Sequence, residues 1–578
     1  MLNRYYQEEL LKLRKLAKEF AQIHPALAPY LSGPSADPDV ERLLEGVAFI
    51  AGMLRQKLDD DFPEIIHELM ELVWPHYLRP VPCSSILSFS PKPGLKQVLS
   101  VPAGTQVSSL PVDGTSCIFT TVRDVDVHPA KIKAIRYVER AGLPTELSLK
   151  IELEGLHLSE WQVSSLELCL GGAYADACDL YFLLCTQVFE VKIHGGDGGE
   201  DLILPSSSIV PGGFEDSDAL FPYPGNAFPA YRLLQEYFIN PRKFLFISLN
   251  GLERWRNRGE GNVLEISFRL KSDYDSLPDL TDESFLLSAV PIINLFSFQA
   301  EPIRLDHRHY KYPVRPASNN SSHYQVYSVE KVRGLIHGTA TERHYKPFEM
   351  FGSVRGEDGP FFNVSKQPSI SDMGIDYYIS LAYPDKEQIA ALETLSIDLQ
   401  CTNGFLPEQL GLGDICRPTS TTPELVEFQN VTSVSPCSLP TLGKDLLWRF
   451  ISHLNLNYSS LLNAENFKAL LKLYVFSETR NKKQLAVNMR RIEGIEKLNT
   501  VTSDRLISGL VFRGQDVTLQ VRQDHFASNG DMYLFGSVVE HFLGCYAAIN
   551  SFVKFTLQES FTGEQFQWSP RIGYKKLL

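Results

Sequence analysis

Leu147-Ser148-Leu149-Lys150-Ile151-Glu152-Leu153 places four aliphatic side chains on alternate residues, with polar ones between them. A strand points successive side chains to opposite faces, so this stretch reads as a half-buried strand with an apolar inner face. The same alternation returns at Leu264, Ile266, Phe268 and Leu270, and again at Leu395, Ile397, Leu399 and Cys401. Turn-forming clusters separate such runs, among them Gly195-Gly196-Asp197-Gly198-Gly199 and Pro211-Gly212-Gly213. From about Ser84 onward the chain therefore predicts antiparallel sheets in sandwich or barrel-like domains. It shows no regular βαβ alternation and no internal repeat.

Upstream of Ser84 the period is helical. Tyr6, Leu10, Leu13, Leu16, Phe20 and Ile23 recur at three- and four-residue steps along one face. His24-Pro25 ends that helix, because proline disfavours helical geometry in the residue before it. A second helix opens at Asp37-Pro38, a cap residue followed by proline at the first helical position. Its apolar stripe is Val40, Leu43, Leu44, Val47, Ile50, Leu54 and Leu58. A third helix is expected from Pro63 to Trp74-Pro75. Near the other end, Leu446–Ile451 and Phe467–Leu471 read as helices, Val517–Val521 as a strand and Val538–Ala548 as a further helix.

These patterns give an α+β multidomain chain. The expected domains are an N-terminal helical bundle or arm over 1–80, β-rich domains over 81–280 and 281–440, and a mixed α+β domain over 441–578. The 578 residues suit three or four domains at ~100–200 residues each. A formal charge of -14 argues against nucleic-acid binding, which needs a basic surface to displace counterions from phosphates. Nine cysteines, none in a C-x-x-C pair, read as reduced thiols in a reducing compartment. The charged N-terminus does not read as a signal peptide. The longest apolar stretch, Ala289 to Phe298, is interrupted by Pro291 and Asn294 and falls short of the ~20 residues that span a bilayer. A soluble cytoplasmic protein is expected.

Searching for chemistry yields structural readings. His67-Glu68-Leu69-Met70-Glu71 has glutamate where a zincin helix needs its second histidine, and reads as the polar face of a helix. Asp306-His307-Arg308-His309-Tyr310 would set two histidines on one strand face, but no completing ligand set is apparent, so Asp306 is read as pairing a neighbouring arginine or histidine. Asp59-Asp60-Asp61 with Glu64 suits the positive end of a helix near Pro63. The Gly195–Asp201 stretch reads as a mobile hairpin loop. No phosphate loop, nucleophile elbow or dinucleotide fingerprint occurs. No catalytic, cofactor or metal residue is assigned.

Several segments, spread over most of the chain, resemble the TssF (ImpG or VasA) family of type VI secretion systems. The most specific are Tyr5-Tyr6-x-x-Glu9-Leu10, Asp37-Pro38-Asp39-Val40-Glu41-Arg42-Leu43-Leu44-Glu45-Gly46 and Pro75-His76-Tyr77-Leu78-Arg79-Pro80-Val81-Pro82. Tyr231–Phe238, Pro291–Phe296 running into Ala300–Asp306, Cys401-Thr402-Asn403, Leu447–Leu454 and Tyr533-Leu534-Phe535-Gly536 follow in order. Residues 155–230 carry no such segment and are read from pattern alone.

The resemblance implies a structural, non-enzymatic subunit of the baseplate wedge, similar in function to wedge proteins of contractile phages. It implies two copies per TssG, joined by TssK, TssE and the VgrG spike, in a cytoplasmic baseplate docked at the inner-membrane complex and without a cofactor. Tyr5, Tyr6, Leu10, Leu13 and Phe20 are the expected partner-binding residues, because one short amphipathic helix cannot bury its face alone; the alternative is that they pack within this chain. The alternative readings are a baseplate protein of a phage tail or other contractile device, and a carbohydrate-binding or carbohydrate-cleaving β protein. The last would need two carboxylates ~5–10 Å apart in an acidic cleft.

Overall fold

The computed structural model describes the chain apart from residues 1, 32–36, 141, 197, 224–227, 272–276, 339–340, 349–359, 370–373, 384–391, 441, 443–445, 456–462, 477–480, 508–509, 548, 550 and 574–578. Two compact units emerge: Met1–Leu78 with Gly443–Ile451, and Arg79–Leu442 with Ser452–Leu578.

The smaller unit is a helical hairpin. Helix α1 spans Leu2–Ile23, and a short helical connection (Pro25–Leu27, Ala28–Leu31) leads toward α2, Pro38–Val73. The Asp37 side chain accepts a hydrogen bond from Asp39 N at 3.0 Å, Pro38 fills the first helical position, and Asp39 and Glu41 meet the positive end of the helix. No third helix starts at Pro63. One 36-residue helix runs through it: proline fits helical φ, and its cost of about 3 kcal/mol, from one lost ladder bond and the ring's crowding of the i−4 carbonyl, falls within a helix of roughly 54 Å. The two helices run antiparallel. Gly52 lies so close to α1 that a Cβ there would sit 3.0 Å from Tyr6 N. Arg55 binds Glu9 at 2.6 Å and Arg14 binds Glu41 at 2.6 Å, which fixes the register. The helix Leu446–Asn455 starts in this unit, where Arg449 donates to Tyr77 Oη at 2.7 Å and Tyr77 stacks on Trp74 at 4.0 Å.

The larger unit is built on sheets that join distant segments. Its six-stranded sheet contains β1 (Ser84–Pro91), β2 (Gln106–Val112), β3 (Thr115–Thr121), β4 (Ala289–Ile293), β5 (Arg417–Pro418) and β6 (Val426–Asn430), in the order β5-β2-β3-β4-β1-β6. Leu87 pairs with Val290 on one side and Asn430 on the other. Leu87, Phe89, Val107, Phe119, Ile292 and Phe428 form its core.

The strands legible by alternation all form. Glu146–Leu153 pairs with Val263–Leu270, setting Leu149 opposite Ile266, within a five-stranded sheet. Glu393–Thr402 lies inside an eight-stranded sheet between Phe296–Gln299 and Gln325–Ile336. Residues 155–230 supply the strand Ser165–Leu170, the buried helix Tyr174–Phe182 and the strand Val188–His194.

The C-terminal part contains a β-α-β crossover that the sequence reading did not anticipate. Leu510–Val521 and Phe552–Glu559 pair in parallel, with the helix Asn529–Gly544 between them. Parallel neighbours need a long crossover, which this helix provides. Ser528 caps it by accepting from Asp531 N at 3.3 Å. Among the described residues no helix is long and apolar enough to cross a membrane.

Candidate protein-docking surface

The five residues singled out at the N-terminus divide between two environments. Tyr5, Tyr6, Leu10 and Leu13 are half-buried on the side of α1 turned toward α2. The Tyr6 backbone lies against Gly52, and the Arg55 guanidinium sits 6.0 Å above the Tyr5 ring. Ala17 and Ala21 continue this inner row at helical spacing. Phe20 lies outside it, exposed, with its ring 4.5 Å from that of His24.

The apolar stripe of α2 is likewise split. Ala48 and Gly52 are buried toward α1. Leu43, Val47, Ile50 and Leu54 recur at four-, three- and four-residue steps and stay 69, 51, 60 and 60 % exposed. Leu69 and Val73 are exposed near the end of α2, and Leu16 and Ile23 join Phe20 on α1. In the same unit Trp448 is 69 % exposed. Contiguous apolar surface of this kind, read as i, i+4, i+7, i+11, marks a site that buries another helix or apolar surface. Around it run charged pairs: Lys12–Glu9, Arg55–Glu9 and Arg14–Glu41. Lys12 and then Arg55 hold the Glu9 carboxyl below its usual range. Sequence periodicity revealed one broad stripe. It did not show which members face inward, because a helix hydrophobic over more than one face has two sides to bury.

The other candidates take structural places. Asp306 stands at the end of the strand Ile303–Leu305 rather than within it. Its carboxylate accepts from Arg308 N at 3.0 Å and Tyr312 Oη at 2.8 Å, and pairs His309 Nδ1 at 3.1 Å. These bonds, the Arg308 amide first, hold its pKa down at about 2. His307 adopts φ +54°, so the two histidines do not share a strand face. His67 is half-buried and Glu68 exposed on α2. The side chains of Asp59, Asp60, Asp61 and Glu64 lie outside the described residues. Among the described residues no group of three His, Cys, Asp or Glu side chains is placed to hold a metal.

The Gly195–Asp201 stretch does join two paired strands, Val188–His194 and Leu202–Pro205. It is not free of contacts: a Cβ at Gly195 or Gly196 would clash with the carbonyls of Arg258 and Glu260. The glycines are there for close approach.

One buried charge cluster escaped the sequence reading. On the helix Ala230–Ile239, Arg232 and Glu236 are buried, and Glu236 binds the fully enclosed Lys243. Burial pushes the Lys243 ammonium down to about 8 against the pull of Glu236. A lysine so shifted is a catalytic candidate only where a reactant can reach it, and this one has no exposed surface. Arg232 and Glu236 also tie down the chain before the helix, through Phe214 O, Glu215 O and Leu220 N. The cluster fastens a loop.

Comparison with known proteins decides what kind of chain carries this surface. The family model of the type VI secretion system protein TssF matches residues 1–575. The chain belongs to the TssF family. It is 30% identical to the type VI secretion system component TssF1 of Pseudomonas aeruginosa, with 99% of each chain covered. It superposes on a chain of the type VI secretion TssK-TssF-TssG baseplate subcomplex, seen by cryo-electron microscopy, with TM-score 0.80 and 28% identity over 93% of this chain and 99% of that one. A chain of the baseplate complex from the type VI secretion system matches with TM-score 0.63 and 26% identity over 100% of both chains. As a TssF-family member the protein is a type VI secretion component. Of the segments quoted at its N-terminus, Tyr5–Leu10 and Asp37–Gly46 fall on the hairpin that carries the exposed apolar stripe.

Proposed function

We propose that this chain is a non-enzymatic structural subunit of the type VI secretion baseplate wedge. Two copies assemble with one TssG, and the unit joins TssK, TssE and the VgrG spike to anchor the contractile sheath and tube. The wedge sits in the cytoplasm, docked at the inner-membrane complex, and needs no cofactor. The observation that carries this reading is the uncovered apolar face of the helical hairpin on a chain of the TssF family. One solved relative belongs to a TssK-TssF-TssG baseplate subcomplex, which supports TssK and TssG as partners.

Within this reading Tyr5, Tyr6, Leu10 and Leu13 hold α1 against α2, and Phe20 joins Leu43, Val47, Ile50 and Leu54 in meeting TssG. Co-expression with the TssG of the same cluster, followed by mass measurement of the purified species, tests it. A stable complex with two copies of this chain per TssG is expected. A well-folded monomer with no affinity for TssG would overturn it.

A further inference from the structure

A second surface, in the larger unit, is shaped for a different kind of contact. The outermost strands of the six-stranded sheet, β5 and β6, do not pair with each other, yet Pro418 of β5 and Val426, Glu427, Phe428 and Gln429 of β6 line one cavity of about 840 Å³. The sheet curls until its two edges face across a slot, as in a barrel short of one strand.

The outer edge of β6 is open. Lys92 N–H bonds to Leu425 O and Val431 N–H to Ile86 O, whereas Phe89 N–H bonds away from β6, to Ser288 O. The alternation of an antiparallel ladder then turns the N–H and C=O of Glu427 and Gln429 toward β1, and those of Val426 and Phe428 into the slot. Among the described residues no strand takes them up, and only the end of this edge is met, where Gly413 N–H bonds Asn430 O. Proteins usually blunt such edges with proline, lysine or a bulge. β6, Val-Glu-Phe-Gln-Asn, has none of these. Exposed Leu412 and Leu425 flank it.

We propose that this slot takes an extended segment of a partner polypeptide, added as a strand beside β6 and carrying basic side chains on its outer face. The backbone edge supplies the hydrogen bonds of strand addition. Charge selects the sequence. Among the described residues two exposed carboxylates, Glu424 and Glu427, stand at the slot against one cation, the Lys92 ammonium, which donates to Glu424 O at 3.0 Å, and the chain as a whole is acidic. The occupant's inward side chains, on the face of Val426 and Phe428, are apolar.

The test uses the full-length chain and the acetylated, amidated heptapeptide Thr-Val-Lys-Val-Lys-Val-Thr, with amide hydrogen exchange resolved residue by residue. The Val426 and Phe428 amides are expected to slow about tenfold at saturating peptide, with those of Glu427 and Gln429, already bonded to β1, unchanged. The surface variant E424K/E427K, or a peptide with glutamate for lysine, is expected to lose at least about fivefold in apparent affinity. Unslowed Val426 and Phe428 amides would overturn the proposal. So would equal slowing with the charge-reversed peptide or variant.

Discussion

Asn294 and Asn403 clasp each other across 109 residues of sequence. Asn294 Nδ2 donates to Asn403 Oδ1 at 2.8 Å, and Asn403 N donates back to Asn294 Oδ1 at 2.7 Å. Asn294 Nδ2 also reaches Ile118 O, and Asn403 Nδ2 reaches His323 O. Two amides thus bind four segments together at a fully buried point. Substituting Asn294→Leu would strand the Asn403 amide and the Ile118 carbonyl. Each orphaned buried group costs about 1–3 kcal/mol, so denaturant unfolding is expected to lose roughly 2–5 kcal/mol.

Arg491 and Asp531 make a deeply buried ion pair, at 2.8 Å, with Tyr174 Oη also donating to Asp531 at 2.8 Å. Arg491→Met leaves the carboxylate buried and uncompensated and is expected to cost about 3–5 kcal/mol. The double variant Arg491→Met with Asp531→Leu is expected to recover part of that loss in the same denaturant titration.

Gly52 sets the spacing of the hairpin. A leucine there would meet the Tyr5 and Tyr6 backbone, which cannot give way as a side chain can. Gly52→Leu is expected to lower the thermal midpoint of the helical signal in circular dichroism, at a cost of about 1–3 kcal/mol.

The two sides of the hairpin are separable by mutation. Ile50→Asp changes an exposed residue, so the protein is expected to fold with stability within about 0.5 kcal/mol while TssG binding weakens at least tenfold. Leu13→Asp places a charge between the helices and is expected to destabilise the hairpin itself. Calorimetry of both variants, with pull-down by TssG, distinguishes these outcomes.

His453 gives folding a pH dependence. Its ring lies 4.5 Å from that of Tyr231, Nε2 sits 3.3 Å from Tyr474 Oη, and burial holds its pKa down at about 4. An unfolded chain protonates the same ring near 6.5. Between these values the unfolded state binds more protons, so stability falls as pH drops from about 6.5 toward 4, by at most about 1.4 kcal/mol per unit. His453→Phe is expected to remove that slope from the difference between wild-type and variant unfolding curves.

What the sequence revealed follows the range of the interactions involved. Asp37-Pro38 announces the start of α2 because a cap acts on amides two residues away. The alternation at Leu147–Leu153 reveals a strand because its period is local, and its partner Val263–Leu270 carries the same signature. That β1 should lie between β4 and β6 could not be read, because nothing in Leu87 encodes Asn430 as its neighbour. The C-terminal crossover helix was expected from Val538, though Ser528-x-x-Asp531 marks its true start. At the hairpin, spacing located the apolar residues, and packing alone assigned Leu13 inward and Ile50 outward. The slot beside β6 left no local trace, since it arises from two edges brought together by the curl of a sheet.

The return of Gly443–Ile451 to the N-terminal helices has a consequence for synthesis. Residues made first are completed by residues made near the end, about 360 positions after Leu78. At ~5–20 residues per second a ribosome needs roughly 20–70 s to cover that distance. For that interval the nascent hairpin carries its apolar face and lacks the Arg449 contact to Tyr77. The order of translation thus leaves the Tyr77 end of the hairpin without its arginine until most of the chain has been made.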